Sequence, residues 1–270
     1  MTIQMLEAQF PNRAGANNDS RLQFNGRKIM QLISLKSLLL KSGDDLVSAI
    51  KKSLARKRES LKNGDILVIA SKVVAYSQGR LVKIGSNKEF RQLIKKEADK
   101  VLLDKEMVIT LKNHVLIPNA GIDKSNTPNG QVVLWPIKPF ETARNIREQL
   151  MKIYKIKKLG IVISDSHCQP LRLGTSGIAI GWAGFEGIHD VRGTNDLFGK
   201  KMQYTRIAIA DDLASASNLL MGETDACIPF VIIRDLKVRW TRKKASEKDY
   251  FISPDKCIYK SFYNKKLLGI

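Results

Sequence analysis

Three short segments carry uninterrupted apolar runs, and these runs limit the folds open to the chain. They lie at 65–70, 159–164 and 230–233. A run of this length is typical of a strand covered on both faces, whereas a half-exposed strand alternates apolar and polar residues. The segments between the runs do not follow strict strand and helix alternation. We therefore expect a mixed α+β fold built on buried strands rather than a doubly wound sheet.

Apolar residues at helical spacing mark four further segments, at about 46–54, 86–103, 140–154 and 210–221. Ser42 and Asp45 form a capping-box pattern ahead of the first segment, and Gly222 ends the last. The run at 159–164 delivers Asp165 at its carboxyl end. Open sheets commonly present reactive groups at this end of their strands, so Asp165 is a candidate site residue.

Composition divides the chain into three parts. Residues 1–30 are polar with little periodicity, which predicts a flexible leader. Residues 31–236 contain all of the periodic segments and predict one large domain or two closely packed lobes. Residues 237–270 hold ten Lys and Arg against three Asp and Glu, which predicts a basic C-terminal extension.

Cysteine spacing and hydropathy indicate a cytoplasmic protein. Cys168, Cys227 and Cys257 lack CxxC spacing, which argues against a structural zinc site and fits reduced thiols. The N-terminus has no basic region followed by an apolar run, and no apolar run has the length of a bilayer span. We therefore expect neither an export signal nor a membrane partner.

The formal net charge of +20 favours anionic partners. A nucleotide, a phosphorylated substrate and a nucleic acid all fit such a charge. An AT-rich genome accounts equally well for the abundance of Lys, Ile and Asn. Charge alone therefore does not name the partner.

Three segments place carboxylates beside small or hydroxyl residues, at 119–126, 164–166 and 221–225. Their carboxylates include Asp123, Asp165 and Glu223. Oxygen ligands from separate loops suit Mg²⁺ or Mn²⁺, although a turn or a helix cap explains each segment better when it is taken singly. No GxxxxGK[ST] phosphate loop is present. The residues alone thus indicate a candidate metal site without naming its reaction. Trp135 and Trp182 are expected to be packing residues.

In chain order, several blocks resemble the coenzyme F420-0:L-glutamate ligase family. The resemblance spans about 33–235 and rests on Gly-Asp-Asp-Leu at 43–46, the block 64–72, the segment 119–126, Ala-Arg-Asn-Ile-Arg at 143–147, the Asp165 region, 190–193, 210–214 and 221–223. It implies a mixed fold in an intertwined homodimer. It also implies GTP, or ATP, as phosphoryl donor and two divalent ions, Mg²⁺ or Mn²⁺.

Site residues follow from this resemblance position by position. The implied metal ligands are Asp123, Asp165, Ser166 and Glu223. The implied nucleotide contacts are Lys36, Ser37, Leu38, Leu39, Ser71, Tyr76, Asn126, Met221, Gly222, Glu223, Thr224, Asp225, Ala226, Cys227 and Ile228. The implied catalytic residues are Asp165, Arg172 and Arg192, and Lys72 and Arg147 are further candidates for holding phosphates or carboxylates.

The implied reaction joins L-glutamate to an acceptor carboxylate that has been activated as an acyl phosphate. The chain departs from the family pattern at 165–172, where Asp-Ser-His-Cys-Gln-Pro-Leu-Arg replaces Asp-Thr-Xaa-Gly-Arg-Pro-Trp-Arg, and at Tyr76, where a lysine is usual. This altered segment leaves the acceptor open. Because the family also has bacterial relatives that look suited to glutamylating a folate-type acceptor, the resemblance gives such an acceptor the same standing as coenzyme F420-0.

Two alternatives of other classes stay open. The basic extension could bind nucleic acid, with Trp240, Tyr250, Phe251, Tyr259, Phe262 and Tyr263 stacking on bases. We do not expect this partner, because such aromatic residues more often dock a tail onto its own domain. The departures near Tyr76 and Asp165 also fit a nucleotide-binding relative that has lost catalysis.

Overall fold

The computed structural model describes residues 29–259 and 261. The leader predicted at 1–30 therefore lies outside the described residues except for its last two. The strands and helices follow in chain order: β1 (Gln31–Leu35), α1 (Leu46–Lys57), β2 (Asp65–Ala70), α2 (Ser71–Ser77), β3 (Leu81–Lys83), α3 (Asn87–Glu97), β4 (Lys100–Asp104), β5 (Val108–Lys112), β6 (Val115–Pro118), β7 (Gln131–Val133), α4 (Pro139–Tyr154), β8 (Leu159–Cys168), β9 (Thr175–Ala183), β10 (His189–Asp190), β11 (Arg206–Ile207), α5 (Ile209–Met221) and β12 (Phe230–Arg234).

A mixed sheet of five strands, in the order β1-β12-β2-β8-β9, is the largest in the part of the chain that the structure describes. β2 and β8 run parallel from the pair Asp65 and Leu159 to the pair Ala70 and Ser164. The other neighbours in this sheet are antiparallel. The predicted α+β class and the three predicted strands are confirmed.

Both faces of this sheet are covered, which explains the uninterrupted apolar runs. Leu67 and Ile69 point into a core that contains residues of α1 and α4. Ile66 and Val68 point to the other face, where α5 packs. Since alternate residues of a strand face opposite sides, a strand between two helical layers has no solvent-facing position.

Helix α1 begins one residue after Asp45, whose carboxylate accepts hydrogen bonds from the amides of Val47 and Ser48. The predicted role of Ser42 in this cap is therefore wrong. An Asp at the N-cap accepts from the free amides of the first turn by itself. The helix closes at Arg58, which has a left-handed backbone.

Helix α3 ends earlier than the spacing at 86–103 predicted. Its N-cap is Ser86, but its last residue is Glu97. Val101 and Leu102 belong to β4, which pairs with β5. Ala98 has an extended backbone and breaks the helix, and the pairing with β5 then satisfies the following amides. A short strand directly after an amphipathic helix continues its apolar spacing and hides the boundary.

A second lobe forms around the sheet β4-β5-β6 and the pair β3-β7. Its small core includes Ile94, Val108 and Val132. Thr110 is fully buried, donates its hydroxyl to the carbonyl of Ile117 and accepts from the amide of Ala120. These bonds fix the chain that leads from this lobe towards the main sheet.

The C-terminal segment packs on both lobes. Tyr250 lies against Phe140 and Trp182, with ring centroids 5.8 and 5.5 Å away. Phe251 contacts His114 of the second lobe, with ring centroids 4.0 Å apart. Both of these C-terminal rings are thus engaged within the chain rather than free to stack on bases. Phe262 and Tyr263 lie outside the described residues, and none of the helices within them is long and apolar enough to cross a bilayer.

A buried ion pair joins the start of β2 to the end of β12. Arg234 donates to both carboxylate oxygens of Asp65, at 2.9 and 2.8 Å, and to Glu59 at 3.2 Å. Asp65 is only 1% exposed. The guanidinium satisfies a carboxylate that would otherwise be buried without a counter-charge.

The substitution Arg234→Met should lower the free energy of unfolding by about 3 to 5 kcal/mol, because it leaves the Asp65 carboxylate buried and unpaired. Urea unfolding followed by circular dichroism measures the effect. The matched control, Arg91→Met, removes an arginine whose partner Asp104 is at the surface and should shift the midpoint far less. Equal shifts in both variants would contradict the assigned role.

The substitution Tyr250→Ala should lower the free energy of unfolding by about 2 kcal/mol, because it removes a ring packed between two buried aromatic side chains. Thermal and urea unfolding measure the loss. Tyr259 is exposed, so Tyr259→Ala should leave stability unchanged. Similar stability of Tyr250→Ala and the unaltered chain would show that the C-terminal segment does not support the fold.

Candidate functional site

The site is built where the parallel strands β2 and β8 end side by side. The chain leaves β2 at Ala70 and turns directly into α2 at Ser71, while β8 continues past Ser164 to Asp165. The Ser71 hydroxyl donates to one carboxylate oxygen of Asp165 at 2.9 Å. Two residues 94 positions apart in sequence are therefore joined by the register of one strand pair.

Trp135 holds the other carboxylate oxygen of Asp165. Its indole Nε1–H donates to Oδ2. Burial raises the pKa of Asp165, and the nearby Asp123 charge adds to this, while the hydrogen bonds from Trp135 and Ser71 oppose it. The result is an acid that holds its proton more strongly than usual unless a cation compensates its charge.

Gly121 allows Trp135 to reach this position. A Cβ on Gly121 would lie 2.6 Å from the indole Nε1, and its φ of +71° is one that side chains rarely adopt. Trp135 is buried, so the predicted packing role is confirmed, but the ring also supplies a hydrogen bond to the site. The Trp–Asp contact joins distant segments, and no local sequence pattern signals it.

Asp123 lies on the opposite side of the site and faces Lys72 of α2. The ammonium is 2.7 Å from Oδ2, and Ser125 donates its amide and hydroxyl to the same carboxylate at 2.7 and 2.8 Å. Burial opposes ionisation of Asp123, but these donors together prevail and lower its pKa. The two acids thus differ: Asp123 is stabilised as a carboxylate, whereas Asp165 is not.

Tyr76 and Asn126 connect the two lobes beside these acids. The Tyr76 hydroxyl donates to the carbonyl of Asn126 at 3.1 Å, and the Asn126 amide donates to the carbonyl of Thr224 at 2.8 Å. Burial, with a smaller effect of Asp123, raises the pKa of Tyr76. Tyr76 therefore remains a neutral donor that fixes the Asn126 loop.

Glu223 follows the end of α5, where Gly222 has a positive φ of 67°. Its Oε1 accepts from Asn218 at 3.0 Å and from Thr175 at 3.2 Å. These bonds direct the side chain back towards the β8–β9 hairpin. The three predicted carboxylates consequently border the same space.

That space is a cavity of about 590 Å³. The predicted residues that line it are Ser37, Leu38, Leu39, Ser71, Lys72, Tyr76, Asp123, Asn126, Asp165, Ser166, Met221, Gly222, Glu223, Thr224, Asp225, Cys227 and Ile228. Of the predicted contacts, Lys36 and Ala226 do not line it. The amide of Ser37 donates to the carbonyl of Cys227 at 3.0 Å, which joins the two halves of the predicted nucleotide-binding stretch.

Comparison with known proteins decides the family. Residues 34–235 match the family described as F420-0:Gamma-glutamyl ligase. The chain belongs to this family. As a member of the F420-0:gamma-glutamyl ligase family it is an enzyme of the ligase class, and both the resemblance and that prediction are confirmed.

Individual relatives agree with the family match. A protein of Methanocaldococcus jannaschii named coenzyme F420:L-glutamate ligase is 35% identical over 239 residues, which cover 82% of this chain and 94% of the relative. Proteins of the same name from Archaeoglobus fulgidus and Methanosarcina mazei are 33% and 34% identical, over 74% and 83% of this chain and 85% and 88% of theirs. The similarity thus extends over nearly the whole of each relative.

The four predicted metal ligands of this F420-0:gamma-glutamyl ligase family member offer only oxygen atoms. Such a set suits a hard divalent cation, and the half-buried Asp165 has a charge that such an ion would compensate. Within 29–259 and 261, no group of three or more His, Cys, Asp or Glu is gathered closely enough to hold an ion. In this arrangement Asp123 is held by Lys72, and Glu223 by Asn218 and Thr175. The ligand chemistry fits, and the metal site stays a prediction.

Three predicted arginines lie outside the cavity of the single chain. Arg172 is exposed at the turn between β8 and β9. Arg192 donates to the exposed Asp190 at 2.6 Å and lowers the pKa of that acid. Arg147 donates to the carbonyl of Leu159 at 2.7 Å, at the far end of β8 from the site. Their catalytic or phosphate-binding roles stay predictions that this geometry does not support within one chain.

Sequence reasoning missed part of the lining. The additional residues are Leu40, Ala70, Val73, Thr127, Pro128, Ser164, Asn218 and Pro229. Six of them are direct neighbours of predicted residues and Pro128 lies two positions after Asn126, so a wider window around each motif would have included these seven. Asn218 is the exception: helical spacing places it one turn before Gly222, on the same face.

The substitution Asp165→Asn tests the raised pKa of this half-buried acid in metal-free buffer. Because the folded-state pKa of Asp165 is raised, its contribution to stability is full below the unfolded pKa of about 3.9 and is lost as the pH rises through the folded value. Asn cannot ionise. The variant should therefore gain stability relative to the unaltered chain as the pH rises through that window, as measured by urea titrations.

Asp104→Asn is the matched control for this experiment. Its carboxylate is bound by Arg91 and Lys95, and its pKa is lowered. Here the ionised form stabilises the fold, so the variant should lose stability relative to the unaltered chain as the pH rises. If the stability of both variants, relative to the unaltered chain, changed in the same direction as the pH rises, the raised pKa assigned to Asp165 would be contradicted.

Proposed function

We propose that this chain is a γ-glutamyl ligase that uses a nucleoside triphosphate and divalent cations to join L-glutamate to an acceptor carboxylate. The observation that carries the proposal is the convergence of Asp123, Asp165 and Glu223 on one cavity, from three distant parts of the sequence. The cavity that these three carboxylates line is therefore the candidate active site of the proposed ligase.

The cavity suits a nucleotide in size and in lining. Its volume of about 590 Å³ lies within the usual range for small-molecule sites, about 300 to 1,000 Å³. The stretches 37–39 and 221–228 form one side of it and are joined by the bond from Ser37 to Cys227. Leu38 and Leu39 offer apolar contact for a base, and the Lys72 ammonium offers positive charge for phosphate oxygens. GTP is the expected donor, with ATP as the alternative.

Asp123, Asp165, Ser166 and Glu223 would hold the Mg²⁺ or Mn²⁺ ions. Bound there, the ions would neutralise charge on the terminal phosphates. Ser71 and Trp135 orient the Asp165 carboxylate through their hydrogen bonds, so this ligand is fixed before substrate arrives. Lys72 is close enough to Asp123 to compensate its charge when the cavity contains no substrate.

The reaction has two balanced steps. An oxygen of the acceptor carboxylate first attacks the γ-phosphorus, and the bond from that phosphorus to the bridging oxygen breaks, releasing the diphosphate. The amino nitrogen of L-glutamate then attacks the acyl carbon. The bond from carbon to the phosphate oxygen breaks, phosphate leaves with the electron pair, and the nitrogen loses a proton to solvent.

Coenzyme F420-0 is the acceptor we favour, because the relatives are named coenzyme F420:L-glutamate ligases. A folate-type acceptor is the second candidate. It rests on the altered segment after Asp165, where Leu171 and Leu173 are fully exposed beside the hairpin that borders the cavity. A cytoplasmic homodimer is part of the same proposal, and these exposed leucines are candidates for its contact surface.

Phosphate release tests the proposal directly. The purified chain with GTP, Mn²⁺ and L-glutamate should release phosphate and form a glutamylated product, seen by mass spectrometry, only when the acceptor is added. Asp165→Asn should lower kcat/KM by about 100-fold or more, because it removes a carboxylate that would hold the cations neutralising the phosphate charge. Asp104→Asn should leave the rate unchanged.

Separate reactions with F420-0 and with a pteroate acceptor, each with GTP and with ATP, distinguish the candidates. Product from the pteroate acceptor alone would replace F420-0 in the proposal. Absence of product from both acceptors, with metal-dependent GTP binding retained, would indicate a nucleotide-binding relative that has lost catalysis and would overturn the ligase proposal.

A further inference from the structure

Two basic segments meet at the end of the main sheet that is remote from the cavity. α1 and α4 both pack on the same face, and each ends just before a parallel strand begins. Asn63 accepts hydrogen bonds from the amides of Lys157 and Lys158, at 3.0 and 2.8 Å. The last turns of the two helices and the connections that follow them, 51–64 and 152–158, therefore form one continuous surface, which we name the basal surface.

The basal surface is almost purely cationic. The segment 51–62 contributes six exposed Lys and Arg, and 152–158 contributes four. The one acid in these segments, Glu59, is bound to Arg234 at 3.2 Å. Within 29–259 and 261, none of these ten cations forms an ion pair. The two segments thus carry ten cations against one acid, a net charge of +9, and that acid is already bound to Arg234.

The local structure does not explain this concentration of charge. Lys52 and Arg56 are one helical turn apart, where like charges repel. Arg58 and Lys155 close their helices with positive φ values of 54° and 53°, at positions that favour glycine. Helix ends attract a few cations through the dipole, but not an uncompensated group that continues into both connections.

From this arrangement we propose that the basal surface binds the phosphate backbone of a nucleic-acid duplex. A regular array of phosphates is the partner that compensates many separate Lys and Arg side chains at once. Tyr154 is the one aromatic residue of the two segments and is half-buried against the core, so bases have no ring to stack on. Recognition is therefore through the backbone and independent of base sequence.

A membrane surface fits less well. Binding to a bilayer combines positive charge with apolar side chains that enter the acyl region. In the two segments, Ile153 is the one large apolar residue that is exposed, and it is 42% exposed. The C-terminal extension is also a weaker candidate for nucleic acid, because Lys243 is paired with Asp249 and Tyr250 is packed inside.

The basal surface and the cavity can be tested independently. The parallel pair begins at Asp65 and Leu159 beside the basal surface and ends at Ala70 and Ser164 beside the cavity. Substitutions of exposed basal cations leave the cavity residues in place. Ligase activity then reports on the fold, while duplex binding reports on the surface.

The experiment compares two variants with the same change in net charge. The basal variant combines Lys52→Gln, Arg56→Gln, Lys157→Gln and Lys158→Gln. The control variant combines Lys83→Gln, Lys88→Gln, Lys105→Gln and Lys200→Gln, all exposed and unpaired elsewhere on the described surface. Fluorescence anisotropy with labelled 20-base-pair RNA and DNA duplexes, between 50 and 200 mM KCl, measures affinity as a function of salt.

We expect the unaltered chain and the control variant to bind both duplexes, with affinity that falls steeply as salt increases. The basal variant should bind at least about 10-fold more weakly, with a slope of log K against log salt that is smaller by about 3. A higher affinity for one of the two duplexes would identify whether the basal surface binds RNA or DNA.

Three outcomes would overturn the proposal. They are the absence of duplex binding by the unaltered chain, an equal loss in the basal and control variants, and binding to phosphatidylserine vesicles without binding to either duplex. Circular dichroism of each variant checks folding. If ligase activity fails in all variants while duplex binding is retained, the proposed function fails and the basal surface does not.

Discussion

The parallel pairing of β2 with β8 is the constraint on which the rest of the molecule depends. Its register sets Ala70 beside Ser164, so the residues that follow each strand must emerge together. After β2 the chain turns into α2, whereas β8 continues past Ser164 into its hairpin with β9. The Ser71 hydroxyl therefore lies 2.9 Å from a carboxylate oxygen of Asp165. A shift of one residue would turn the Asp165 side chain to the opposite face. The same pairing separates the cavity from the basal surface at the two ends of the sheet.

Charge around the cavity is arranged before any ligand is present. Asp123 has its own cation in Lys72, and its pKa is lowered, whereas Asp165 is half-buried, held by neutral donors, and has a raised pKa. The charge of Asp123 is therefore compensated within the protein, whereas the Asp165 carboxylate would be stabilised by a bound cation. Elsewhere, Arg234 meets the same requirement for Asp65 permanently, which makes that pair structural. Removing a carboxylate from water creates the need for a compensating positive charge. A permanent partner, such as Arg234 for Asp65, makes the carboxylate structural, whereas a carboxylate without one, such as Asp165, can bind a cation.

The sequence predicted those features that depend on local pattern. Uninterrupted apolar runs located the buried strands, and the carboxylate segments located one part of the cavity lining, because runs and loops are contiguous. The lining at 37–39 and 227–228 was implied by the family resemblance instead. The sequence did not predict features that depend on contacts between distant segments. The end of α3 depends on pairing between β4 and β5, and the bond from Trp135 to Asp165 depends on how two lobes meet. Arg172 and Arg192 matched a family pattern, but a motif does not give the direction in which a hairpin extends.

The second lobe is tied to the main sheet on two sides. Tyr76 and Asn126 join it beside the cavity, and on the far side Phe251 lies against His114. A body fastened at two separated points cannot swing open as a rigid flap. The loop from Asp123 to Pro128 is held to the main sheet as well, because the Lys72 ammonium, the Tyr76 hydroxyl and the Thr224 carbonyl all bond to it. The C-terminal segment consequently acts as a brace that holds the second lobe against the main sheet.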